Sequence, residues 1–206
     1  MSDALIGYFG YGSLVNRQTL RTDYVSTHRA SLSGWRRHWQ SRGVDMENHQ
    51  GRQIALLSIH RNADALISGM LVIDRKANLD AVDLREARYD RVAIAREDLQ
   101  LHDHGTTHGS AGELPDELYV YVGRNDVQSE AAPALLQSYL DAVMAGFLTE
   151  YGEAGVHHFL ETTVGFDRRV IADRHDPIYP RAVVLERERA SWFDHLLTKH
   201  GATFAP

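Results

Sequence analysis

Apolar and polar positions change their spacing several times along the chain, and each change marks an element. Leu5 to Phe9 is a short, mostly apolar run of strand type that breaks at Gly10, and Val15 to Leu20 could open a helical turn. Val25 to Gly34 alternates and predicts a strand, with Trp35 to Arg42 as a strand or an irregular extension of it. A polar turn follows at 48–53. Ile54–Ile59 and Leu66–Ile73 are both β-rich, and the polar segment Arg61–Asp64 between them predicts a reversal and antiparallel pairing. The period then lengthens. Lys76 to Arg88 is rich in helix formers, with Asn78 as a candidate cap. Tyr89 to Leu101 reads as a strand, His102 to Pro115 as a loop, and Glu117 to Gly123 as a further strand.

The remainder is mostly helical in pattern. Leu135, Leu136, Tyr139, Leu140, Val143, Phe147 and Leu148 recur at helical spacing between Ala134 and Tyr151, and Gly152 closes that helix. A second helix is predicted near 155–162 and a last one near 187–200. Asp173 to Arg181, with prolines at 177 and 180, is a loop that packs or closes over something. No internal repeat or linker divides the chain, so residues 1–206 are expected to form one domain. Strands first and helices later predict an α+β domain on a mixed, mostly antiparallel sheet.

Composition narrows the functional classes. With 43% hydrophobic residues the chain can bury a real core, and no cysteine is present, which removes thiol nucleophiles and thiolate metal sites. A net charge of −6 with scattered Lys and Arg argues against a nucleic-acid surface, despite the local run Gly34-Trp35-Arg36-Arg37-His38-Trp39. No apolar run reaches membrane-spanning length, and Met1-Ser2-Asp3-Ala4 does not resemble a secretory leader, so a cytoplasmic location is expected.

The segment Gly10-Tyr11-Gly12-Ser13-Leu14 is the first chemical candidate. Glycines after a strand can adopt positive φ and present successive N–H groups as a cradle for a carboxylate or an oxyanion. The plain alternative is a tight turn. No Lys-Ser/Thr pair follows, Val15 stands where a dinucleotide fingerprint needs glycine, and Ser13 lacks the flanking glycines of a nucleophile elbow. A cradle of this kind has no nucleophile of its own, so the reacting group must come from elsewhere.

Glu86 is the second candidate. Leu79, Val82 and Glu86 fall on one face of the predicted helix, the apolar one, so the carboxylate is aimed where the core should be. Burial would raise its pKa toward neutrality, which suits a group that both takes and gives a proton. The alternative is a misphased face with Glu86 paired to an arginine at the surface. His102, His104 and His108 form a third cluster that a metal-dependent hydrolase could use, but their loop spacing reads better as a solvated stretch.

Taken together, Tyr8-Phe9-Gly10-Tyr11-Gly12-Ser13-Leu14 and Leu84-Arg85-Glu86-Ala87-Arg88-Tyr89 resemble the motifs of the γ-glutamylcyclotransferase-like superfamily, which includes the ChaC-type and AIG2-like proteins. The resemblance covers residues 5–145. It implies a small mixed, mostly antiparallel β-barrel with flanking helices. It also implies a small-molecule γ-glutamyl substrate cyclised to 5-oxoproline, with release of an amine. By position, Gly10, Tyr11, Gly12, Ser13 and Leu14 would bind the γ-glutamyl moiety, Glu86 would be the general acid/base, and Tyr89 and Tyr139 would line the pocket. The substrate carries its own nucleophile, its α-amine, so neither cofactor nor metal is required. Val15-Asn16 departs from the apolar-aromatic pair usual in the ChaC-type loop. A non-catalytic member of the same fold, binding a small anion or a partner, is the alternative.

Overall fold

Two long strands carry the architecture. In the computed structural model, which describes residues 4–44, 53–102, 114–124 and 132–205, β1 is Leu5–Gly10, β2 Ser26–Val44 and β3 Gln53–Arg75. Both predicted segments of β2 are thus one strand. The expected reversal at Arg61–Asp64 is corrected. Ile54–Ile59 and Leu66–Ile73 do not pair with each other but belong to β3, and each pairs with a different half of β2. The pairing jumps from Ser33↔Leu66 to Trp35↔Arg61, so the polar residues between them form a bulge on one strand. Gly34 lies opposite with φ +77, and the Arg61 guanidinium covers the Trp35 ring at 4.1 Å. A polar run with apolar runs on both sides looks the same for a bulge as for a turn, which is why the pattern misleads.

The predicted strand Tyr89–Leu101 is split. β4 (Tyr89–Ala93) and β5 (Leu99–Leu101) are separated by a 3-10 turn at Arg96–Asp98. β6 is Glu117–Gly123. The strand order is β4-β6-β1-β3-β2-β5, antiparallel except for β1 beside β6. The two edge strands, β4 and β5, are therefore joined by residues 94–98 alone, so the sheet coils until its edges approach. The edges do not pair with each other among the described residues, and the expected barrel is left open.

Helices pack on this curled sheet. The predicted helix over 76–88 is shorter: a 3-10 turn at Lys76–Asn78 leads into α1, Leu79–Arg85. α2 (Gln137–Glu161) merges the two predicted helices, and Gly152, at φ +68, kinks it between them. Leu140, Val143, Met144, Phe147, Val156 and Phe159 of α2 are fully buried in one core with residues of the sheet. α3 is Arg187–Lys199. β7 (Leu135–Leu136), β9 (Arg169–Ile171) and β10 (Thr203–Ala205) form a small parallel sheet that the sequence pattern did not announce, and β8 (Thr163–Val164) pairs with β2. Strands of two or three residues are too short to show a period. Among the described residues no helix is long and apolar enough to cross a membrane.

Candidate active site

β1 ends at Gly10, and the chain turns through Tyr11 and Gly12 into a 3-10 turn at Ser13–Val15. The expectation of positive φ here is corrected: among the described residues the positive-φ glycines are 34, 152, 165 and 201, and Gly12 has φ −132. These two glycines are needed for close approach instead. A Cβ on Gly10 would lie 2.4 Å from Leu14 Cβ, and one on Gly12 would lie 2.8 Å from the Tyr139 hydroxyl and 3.0 Å from Leu57. The turn is closed by Val15 N–H donating to the Gly12 carbonyl at 3.0 Å and Asn16 N–H to Ser13 at 3.1 Å. The amides at the start of such a turn have no partner within it. The backbone of Ser13 hydrogen-bonds the Tyr139 oxygen.

Buried polar anchors hold this loop. The Tyr11 hydroxyl donates to the Tyr121 carbonyl at 2.6 Å, and burial keeps that phenol well above its ordinary pKa. Asn16 donates to the Ala142 carbonyl of α2 at 3.0 Å. Arg37 is fully buried on β2, yet its Nε donates to the Tyr11 carbonyl at 2.9 Å. Its other nitrogens donate to Thr162 and to the Ser68 carbonyl, and its guanidinium lies 5.2 and 5.4 Å from the rings of Phe147 and Phe159. Desolvation pulls Arg37 down to about 9. None of its partners among the described residues is a carboxylate, so a hydroxyl, carbonyls and aromatic faces carry the cation.

Glu86 caps the C-terminal end of α1 with its N–H donating to Val82 at 2.9 Å. Leu79 and Val82 are buried on the face that the sequence pattern assigned to them. The Glu86 side chain is 14% exposed and its Oε1 lies 3.0 Å from Arg85 Nε. Both readings of this residue thus hold in part: the carboxylate is mostly buried, and it is paired with a neighbouring arginine. Burial lowers the pKa of Arg85, with the Glu86 charge opposing.

The loop and the acid border one cavity of about 490 Å³, within the ordinary range of small-molecule sites. Every residue that the sequence singled out for the site lines it: Gly10 to Leu14, Glu86, Tyr89 and Tyr139. Tyr89 donates to the Leu57 carbonyl at 3.0 Å. Burial raises the Tyr139 phenol, whose ring meets Trp39 and Tyr179 edge-on at 5.9 and 5.0 Å. The Glu86 charge acts on both Tyr11 and Tyr139, so the acid and the loop share one electrostatic environment.

Further walls come from parts the sequence did not assign to the site. Ile54 to Leu57 of β3 and Tyr121 of β6 arrive through long-range pairing, which no local motif reports. Ile178, Tyr179, Pro180 and Arg181 belong to the loop expected to close over something, and they do border the cavity. The histidine cluster is not assembled in what can be described. His104 and His108 lie outside the described residues, and His102 hydrogen-bonds Ser31 at 2.7 Å. Among the described residues no group of three metal-ligating side chains comes together.

No family model matches the chain, and no curated protein is matched by its sequence. Solved structures do match. One described as a gamma-glutamyl cyclotransferase aligns at TM-score 0.52 with 14% identity, covering 95% of this chain and 99% of its own. A second, an uncharacterized protein from Homo sapiens, aligns at TM-score 0.52 with 13% identity, covering 94% and 98%. These alignments run over nearly the whole of each chain, and the protein has the γ-glutamylcyclotransferase-like fold.

Proposed function

We propose that the protein is a γ-glutamylcyclotransferase-type enzyme that converts a γ-glutamyl amine or peptide to 5-oxoproline and the free amine. The observation that carries this reading is the mostly buried Glu86 carboxylate on the wall of the same cavity as the Gly10–Leu14 loop. The substrate's neutral α-amine attacks its own side-chain carbonyl carbon, forming the ring C–N bond. Holding the chain folded supplies the proximity that makes this attack effectively unimolecular. As the bond forms, Glu86 takes one proton from the attacking nitrogen. It returns that proton to the leaving nitrogen as the exocyclic C–N bond breaks. The remaining proton differences between ammonium and amine forms are exchanged with water. Loop amides either steady the oxyanion or grip the α-carboxylate.

Incubation with a panel of γ-glutamyl peptides and amines, with 5-oxoproline as readout, is the test. Wild type is expected to release it. Glu86→Gln, which keeps the shape but cannot shuttle the proton, should lose about 10²- to 10⁴-fold in kcat. Retained activity in Glu86→Gln would remove the assigned role. The Arg85–Glu86 pair favours one alternative, a binding protein whose acid is committed to an ion pair. That protein would be thermally stabilised by γ-glutamyl compounds without releasing 5-oxoproline.

A further inference from the structure

The charges around the cavity are out of character with the rest of the chain. The protein carries −6 overall, yet the lining holds Arg85, Arg88 and Arg181 against the one carboxylate of Glu86. Arg85 lies 3.0 Å from Glu86 as an ion pair, although its buried Nε and Nη2 make no hydrogen bond among the described residues. Arg181 is different: its Nε donates to the Tyr179 hydroxyl at 3.1 Å, its guanidinium sits 5.3 Å from the Tyr179 ring, and no carboxylate among the described residues pairs with it. These contacts orient the cation without neutralising it.

The strap that carries Arg181 is fixed from behind. Asp173 accepts hydrogen bonds from the backbone N–H groups of Ser138 at 2.8 Å and Ile178 at 3.0 Å. Arg174 grips both oxygens of Asp141 on α2 and both of Asp194 on α3. Tyr179 is buried against Tyr139. A side chain held this way is preorganised, so little entropy is lost when an anion meets it.

We propose that Arg181 determines specificity, selecting γ-glutamyl compounds whose leaving amine itself carries a carboxylate. The assignment rests on the cyclisation reading above. Of the two roles open to the loop amides there, gripping the α-carboxylate is the one this assignment takes, which leaves the Arg181 cation for a second anion. Charge balance points the same way. When Glu86 takes the proton, the guanidinium beside it, Arg85, and that of Arg181 face the cavity with no carboxylate charge among the described residues of its lining. A substrate with two carboxylates offsets most of that charge, whereas a γ-glutamyl alkylamine or diamine does not.

The experiment compares γ-glutamylglycine with γ-glutamyl ethylamide, in which a methyl group replaces the terminal carboxylate, in wild type, Arg181→Gln and Arg181→Lys. A charge-assisted hydrogen bond predicts that wild type prefers the dipeptide by about 10- to 100-fold in kcat/KM. In Arg181→Gln that ratio should collapse at least tenfold through a raised KM for the dipeptide, and Arg181→Lys should recover part of it. Equal use of both substrates by wild type overturns the assignment and leaves the cyclisation standing. So does an equal loss on both in Arg181→Gln, which is the signature of a structural role. No 5-oxoproline from γ-glutamylglycine overturns the assignment, and no 5-oxoproline from any compound of the panel overturns the cyclisation with it.

Discussion

At the residue scale the loop after β1 depends on what is missing from Gly12. The Tyr139 hydroxyl and a Leu57 methyl occupy the space where a Cβ would stand, at 2.8 and 3.0 Å. Gly12→Ala should therefore destabilise the protein by about 1–3 kcal/mol, the usual cost of overpacking. The obstructing oxygen belongs to one side chain, and the next atom of that ring lies 4.0 Å away. Tyr139→Phe should thus absorb part of the insult, and the double variant should lose less than the sum of the two singles. Urea unfolding of the four proteins checks this, and strict additivity would show that the clash is relieved elsewhere. Gly12 and Glu86 were legible in the sequence because each sits in a short motif with its context beside it. Arg181 was not, because only the folded strap places it on the wall that Glu86 shares.

At the scale of elements, Arg174 joins α2, the strap and α3. Asp141 is almost wholly buried and depends on this guanidinium, which bonds it at 2.7 and 2.9 Å. Arg174→Met leaves a buried carboxylate alone, a change that typically costs about 3–5 kcal/mol. Asp141→Leu combined with Arg174→Met removes both charges and should recover much of the loss. Chemical denaturation checks both, and a double variant no better than the single would show that the pair is worth more than its desolvation. The helices were legible because their apolar spacing persists over several turns, as in α2 and α3. The sheet was legible only in outline. Pairing partners, the bulge opposite Gly34 and the parallel trio β7, β9 and β10 depend on residues far apart in the chain. Local pattern holds no record of them.

For the whole molecule, a shared vulnerability follows from its tyrosines. Tyr8, Tyr11, Tyr121, Tyr139 and Tyr151 all have raised phenol pKa values with burial as the main cause, Tyr8 and Tyr151 from 10.0 to about 12. A raised folded value means that the native state holds protons the unfolded chain gives up. The stability from these phenols is intact below pH 10 and is lost as pH climbs toward 12 and beyond. A two-unit rise in one phenol corresponds to about 3 kcal/mol. Arg37, lowered to about 9, and Arg85, also lowered by burial, act in the opposite sense but are two groups against five. Urea midpoints should fall between about pH 10 and 12, and tyrosinate absorbance should appear together with unfolding rather than before it. Early ionisation of all the tyrosines in the intact fold would contradict this.

The strap also fixes when the cavity comes into being. Gly10 to Leu14 and Glu86 precede α2 in the chain, but Ile178 to Arg181 follow it, and Arg174 completes its bonds only when α3 supplies Asp194. A nascent chain released at Glu161 would carry every group assigned to proton transfer and still lack a wall to hold a metabolite against them. Competence is thus deferred until the strap and α3 have been made.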